Sequence, residues 1–156
     1  LLNRTSSMSR KWFDNKVPKK ESSNIDNTLE LSSIESVGNY LKHFNYYEIN
    51  LAANVILNLA INTNLYLNEK QPWILIKDDS NINLVRNIIY NVLESTRIIG
   101  LLLLPLMPDL SRKINIQLGS IYNDEKPWID QLDWGILKHN SFLPAPTPII
   151  EKLEYE

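Results

Sequence analysis

No cysteine occurs anywhere in this 156-residue chain, and that one absence removes disulfides, thiolate zinc sites and cysteine nucleophiles together. It fits a reducing setting, the cytoplasm or else an organellar stroma or matrix. Histidine is nearly as scarce. His43 and His139 are the two copies, far apart and in no short-spaced H-x-x-x-H pair, so no metal site is expected. The longest apolar run, Ile98 to Met107, is broken by Pro105 and too short to cross a bilayer; it reads as a buried helix end, and no membrane contact is expected. Gly38, Gly100, Gly119 and Gly135 are too scattered to build G-x-x-x-x-G-K-[ST] or G-x-G-x-x-G, which leaves no cradle for a nucleotide cofactor.

Catalytic patterns are missing as well. A nucleophile needs a base and an orienting partner, and neither G-x-S-x-G nor H-E-x-x-H occurs. The carboxylate pairs Asp78-Asp79, Asp124-Glu125 and Asp130 with Asp133 fall in segments read as loops or helix starts, where acids cap helices or solvate turns. The chain is therefore expected to carry out no chemistry of its own and to hold no cofactor or metal.

What is present is apolar mass in one stretch of chain. With 44% hydrophobic residues the sequence can bury one core, and it is read as a single domain over residues 1–156. It opens at Leu1 without an initiator Met, and the leucine pair lacks the apolar region of a secretory signal, so an internal fragment of a longer chain is expected. The net charge of −2 hides an asymmetry. Arg4, Arg10, Lys11, Lys16, Lys19 and Lys20 face only Asp14 in the first twenty residues, which carry about +5 and leave about −7 for the rest. That basic end is either a solvated, partly disordered arm or a phosphate-facing edge.

Helical periodicity dominates. A first helix runs from near Leu1 to Phe13 and ends before Pro18, and Glu21–Asn27 is a linker rich in Ser and Asn. A second spans about Thr28–Phe44, with Leu31, Ile34, Val37, Leu41 and Phe44 as the expected core stripe. Asn45 and Glu48 resemble a capping box opening a third helix, in which Ile49, Ala52, Ala53, Ile56, Leu59, Ala60 and Leu67 face inward to about Glu69. Pro72 suits the first turn of a short helical piece holding Trp73. The strongest helix follows, with Ile82, Val85, Ile89, Val92, Leu93, Thr96, Ile99 and Leu103 in sustained register up to Pro105. Pro108 opens another, which Gly119 closes. Beyond Ser120 the periodicity is lost, and Trp128, Trp134, Pro144, Pro146 and Pro148 mark an irregular strap over the bundle. The expected fold is all-α: an antiparallel bundle of about five helices with an irregular C-terminal strap.

Two strings along this frame resemble methionyl-tRNA synthetases of bacterial or organellar type. Leu1-Leu2-Asn3-Arg4-Thr5-Ser6-Ser7-Met8 is similar to the N-L-x-x-R segment that begins their anticodon-binding domain. Asn64-Leu65-Tyr66 followed by Gln71-Pro72-Trp73 is similar to A-N-x-Y-x-x-x-x-x-P-W, with Thr63 in place of the leading alanine. A third string, Pro146 to Glu154, resembles the closing P-x-x-x-F-x-R-I-E strap, with Ile150 and Lys152 where Phe and Arg are commoner. Ser7-Met8-Ser9-Arg10 also echoes the K-M-S-K-S loop with which class I synthetases hold ATP, but it lies inside a predicted helix with no nucleotide-binding unit beside it and reads as chance.

The resemblance implies the α-helical anticodon-binding domain of a class I synthetase. Its partners would be the CAU anticodon stem-loop of methionine tRNA and the catalytic domain of the same parent chain. ATP would be used by that parent and not by this domain. The RNA-binding positions it implies are Asn3, Arg4 and Trp73, with Pro72 shaping the same edge. Physics favours those types: unpaired loop bases stack on aromatic faces, and an arginine fork makes planar, directional bonds to a base edge or phosphate. Arg10 and Lys11 would add phosphate contacts. Tyr66 reads as a packing residue and Asn64 as a helix-end hydrogen-bonder, and Trp12, Trp128 and Trp134 are left to the core. Two other functions fit the same bundle: the matching domain of a valyl or isoleucyl synthetase, and a helical module that docks a partner helix.

Overall fold

A computed structural model describes residues 1–23, 25–119, 123 and 125–150. Its helices are α1 (Leu2–Trp12), α2 (Thr28–Asn45), α3 (Ile49–Lys70), α4 (Pro72–Leu75), α5 (Ile82–Leu103) and α6 (Pro108–Gln117). Two single 3₁₀ turns, Asp79–Asn81 and Trp128–Gln131, complete the regular structure among the described residues. The expected five long helices, the short piece at Pro72 and the irregular strap are all found. Residues 120–122, where the strap begins, and 151–156, which include the end of the third resembling string, lie outside the described residues.

The ends of the helices follow from single residues. Pro72 and Pro108 stand in the first turns of α4 and α6, where the missing N–H costs nothing. Gly119 follows α6 with φ of +64°, and a Cβ there would meet the Phe142 carbonyl oxygen. Only glycine tolerates both the angle and the approach.

The centre of the fold is α5. A single inward stripe was expected of it, yet every residue from Asn87 to Leu102 is buried. A helix enclosed all round must place its polar groups against partners, and here the irregular segments supply them. Asn87 accepts from the Glu21 N–H (2.7 Å) and donates to the carbonyls of Glu21 (3.2 Å) and Ser23 (2.7 Å); Asn91 donates to Asp26 O (3.0 Å). Around it, α1 presents the small side chains Thr5, Ser6 and Ser9, which permit close approach. On the α6 side, Gly100 does the same: a Cβ would stand 2.9 Å from Ile114.

The strap is fastened by a buried ion pair. Arg97 donates to both oxygens of Glu94 (2.7 and 2.9 Å) and to the carbonyls of Gln131 and Asp133 (both 2.6 Å). Glu94 in turn accepts the backbone N–H groups of Gly135, Ile136 and Leu137 at 2.7, 3.0 and 3.1 Å. Their side chains are only 0% and 3% exposed, so the fully bonded geometry is what makes this pair tolerable in a dry interior. Trp128 helps by donating its indole N–H to Leu101 O at 2.8 Å.

Three expectations are corrected. On α2, Val37, Leu41 and Phe44 of the expected stripe pack against the core, but Leu31 and Ile34 are 64% and 56% exposed, and the fully buried residues are Leu29, Ser33 and Tyr40. On α3, Ile49 and Ala53 are exposed, and no capping box forms: Asn45 ends α2, Tyr47 turns the chain at φ of +59°, and Glu48 bonds His43 Nδ1 at 2.6 Å. Nor is the basic end a loose arm. Val17 N–H donates to Ser141 O, Asn140 N–H to Val17 O and Leu143 N–H to Asn15 O at 2.9, 2.9 and 2.7 Å, so the strap clasps it.

Candidate nucleic-acid interface

The junction of α3 and α4 is a one-residue corner. Proline disfavours helical geometry in the residue before it, so α3 cannot run through Gln71 into Pro72. Gln71 adopts the left-handed region instead (φ 46°, ψ 54°), its N–H still bonding Leu67 O at 3.2 Å while its carbonyl accepts Ile74 N–H at 2.8 Å. Pro72 is buried under that corner, and Trp73 is left half-buried on its rim, resting on a cluster of Leu29, Tyr66, Leu67, Ile88 and Val92.

Arg4 arrives at the same place from α1. Asn3, Arg4, Ser7 and Lys11 are the exposed side of that helix, opposite Leu2, Thr5, Ser6 and Ser9, which pack inward. The Arg4 guanidinium carbon stands 5.3 Å from the Trp73 ring centroid, and its Nη2 donates to Asn68 Oδ1 at 2.7 Å. Arg4 and Trp73, 69 positions apart in sequence, thus pair an exposed guanidinium with a half-buried indole. Asn3 flanks it on the solvent side of α1, and Pro72 sets its corner.

The neighbouring cation is spent differently. Lys70 Nζ lies 2.6 Å from Asp26 Oδ2 and 5.4 Å from the Tyr66 ring centroid. Partial burial works against the charged form of Asp26, but the bonds from Lys70 and Thr28 outweigh it and hold the carboxyl down at about 2. Burial pushes the Tyr66 phenol up, as fits a packing residue with 4% exposure. Arg4, by contrast, makes no ion pair among the described residues.

The six cations of the basic end divide. Arg4, Lys11, Lys16 and Lys19 are exposed. Arg10 is turned inward, donating from Nη1 to Leu143 O at 2.6 Å, and Lys20 lies 3.5 Å from Glu30. Arg10 therefore spends one of its donors clasping the strap. Asn64 lies inside α3, well before its end, and Trp12, Trp128 and Trp134 are half-buried against the core as expected. Asn68 was missed by the sequence reading; the signal available was its position one helical turn beyond Asn64, in the last turn before Pro72.

Elsewhere, a cavity of about 710 Å³ between α5, α6 and the strap is lined by Arg97, Asn115, Gln131 and Lys138 among others, and none of the predicted site residues reaches it. No group of three or more His, Cys, Asp or Glu among the described residues is placed to hold a metal ion. No described helix is long and apolar enough to cross a membrane.

Comparison with known proteins gives a consistent result. Residues 17–155 match the family described as the anticodon binding domain of methionyl tRNA ligase. The methionine–tRNA ligase of Lactococcus lactis is 33% identical over all of this chain, which spans 23% of that relative, and that of Bacillus subtilis is 32% identical over all of the chain and 24% of its own length. The free-state methionyl-tRNA synthetase of Mycobacterium tuberculosis superimposes with a TM-score of 0.88 at 26% identity, over 99% of this chain and 31% of that one. The chain thus spans less than a third of the length of each of these relatives, and α1 with Arg4 falls within the alignments to whole relatives though before the family match begins.

Proposed function

This chain belongs to the family of anticodon-binding domains of methionyl-tRNA ligases, and from that premise we propose that it binds the CAU anticodon loop of methionine tRNA through Arg4 and Trp73, with Asn3 and Pro72 on the same edge. The observation that carries the proposal is the pairing of an exposed guanidinium with a half-buried indole at 5.3 Å. The ring's fixed inner side gives an unpaired base a rigid platform, and the arginine retains donors for a base edge or a phosphate. Activation of methionine with ATP belongs, in this reading, to a separate catalytic domain of the parent, which this domain would help to align on the tRNA. The setting would be wherever that parent takes part in translation, the cytoplasm or an organelle.

The test is a titration of the full chain with hairpins carrying CAU or other anticodons. Trp73→Ala should weaken the CAU hairpin by about 1–3 kcal/mol, the usual worth of a base–aromatic stack, and leave the helical content unchanged. Equal affinity for all hairpins would remove the anticodon reading, and an unchanged affinity in the variant would remove Trp73 from the site.

A further inference from the structure

Arg4 has four flexible torsions, and a guanidinium left free on a surface loses much of its binding strength to the entropy of being ordered. Two contacts limit that freedom here. The indole face of Trp73 fixes how high the group sits above the ring but not which way its N–H donors point, because attraction to a ring face has little directionality about the ring normal. The bond from Nη2 to Asn68 Oδ1, at 2.7 Å, supplies the missing direction. Of the five N–H donors of the fork, this bond engages one.

The position of Asn68 also sets the charge. It lies in the last turn of α3, Ile49–Lys70, where the unpaired backbone carbonyls carry a partial negative charge that welcomes a cation. Its side chain is a neutral amide, so it orients the guanidinium without forming an ion pair. The full positive charge stays available to RNA. The adjacent Lys70 shows the alternative outcome, being paired at 2.6 Å with Asp26.

Resting on the anticodon reading above, we infer that Asn68 is a positioning residue for RNA binding: its side-chain oxygen turns the Arg4 fork, over Trp73, toward the ligand. Asn68 acts through Arg4 and needs no contact with RNA of its own.

A double-mutant cycle tests this on the full chain, with a CAU anticodon hairpin as the probe and thermal melting as the control for folding. Arg4→Ala and Asn68→Ala should each weaken binding, the latter about 3- to 10-fold, the net scale of one ordinary hydrogen bond, because Asn68 only orients a group that still binds without it. In the Arg4→Ala background, adding Asn68→Ala should bring no further loss. Asn68→Ala should also keep the wild-type salt dependence, since the charge remains, whereas Arg4→Ala should make it shallower. The inference is overturned if Asn68→Ala binds as tightly as wild type while Arg4→Ala and Trp73→Ala are weakened. It is equally overturned if the Asn68 effect persists undiminished without Arg4. If Arg4→Ala and Trp73→Ala themselves bind like wild type, the anticodon reading fails and takes this inference with it.

Discussion

Two arginines do opposite things in this molecule. Arg97 is 3% exposed and spends its donors on its own chain: Glu94, Gln131 O and Asp133 O. Arg4 is exposed, makes one bond to Asn68, and lies over an indole. The side chain is the same, and the surroundings decide the role. A guanidinium saturated by internal acceptors can only hold structure together, whereas one with unspent donors at a rim is equipped to take up something else.

That contrast can be broken most sharply at Glu94. Glu94→Ala strands the Arg97 charge in the interior and frees the strap backbone at Gly135, Ile136 and Leu137, so unfolding in urea should show a loss of about 3–5 kcal/mol. A loss under about 1 kcal/mol would mean that the pair is not what fastens the strap. The comparison is next sharpened by setting Arg4 against Arg10. Arg10→Ala should cost about 1–1.5 kcal/mol of stability, from its bond to Leu143 O, and leave hairpin affinity unchanged. Arg4→Ala should do the reverse, with a stability change within about 0.5 kcal/mol. Finding the two effects exchanged would reverse the assignment of clasp and contact.

The Lys70–Asp26 pair gives a smaller, pH-dependent effect. The Asp26 carboxyl is held at about 2 against 3.8 when unpaired. Its stabilising contribution is therefore complete above about pH 4 and disappears as pH falls through about 2. Discounted for solvent screening, Asp26→Asn should cost about 1 kcal/mol at neutral pH. Wild type and variant should converge in acid melts, and a gap that persisted to the lowest pH would rule out the ionic origin. The smallest effect expected is at the corner between α3 and α4. Gln71→Gly relieves a left-handed angle that glycine adopts freely, and should raise stability by about 0.5–1 kcal/mol in the same urea assay.

Much of this was legible in the sequence because single residues dictate local geometry. Pro72, Pro108 and Gly119 each mark a helix boundary that the structure keeps, and the α3–α4 corner follows from Pro72 alone. The faces of helices were less legible. Leu31 and Ile34 continue the spacing of Val37, Leu41 and Phe44, which do pack against the core, but so do Leu29 and Ser33, and the second pair is the one buried. Composition favoured the first because Ser33 does not look like core; it is buried through hydrogen bonding near Ser95. Glu94 and Arg97 stand three positions apart on one helix, and nothing local announces that residues 131–137 will cover them. Of the site, Arg4 and Trp73 came from resemblance, and their meeting required the fold. Asn68 is one of several asparagines on α3, and only its bond to Arg4 singles it out.

A helix enclosed on every side has no wet flank from which to fray. The amide hydrogens of α5 from Asn87 to Leu102 can exchange with solvent only when the surrounding helices part together, which makes loss of this domain an all-or-none event.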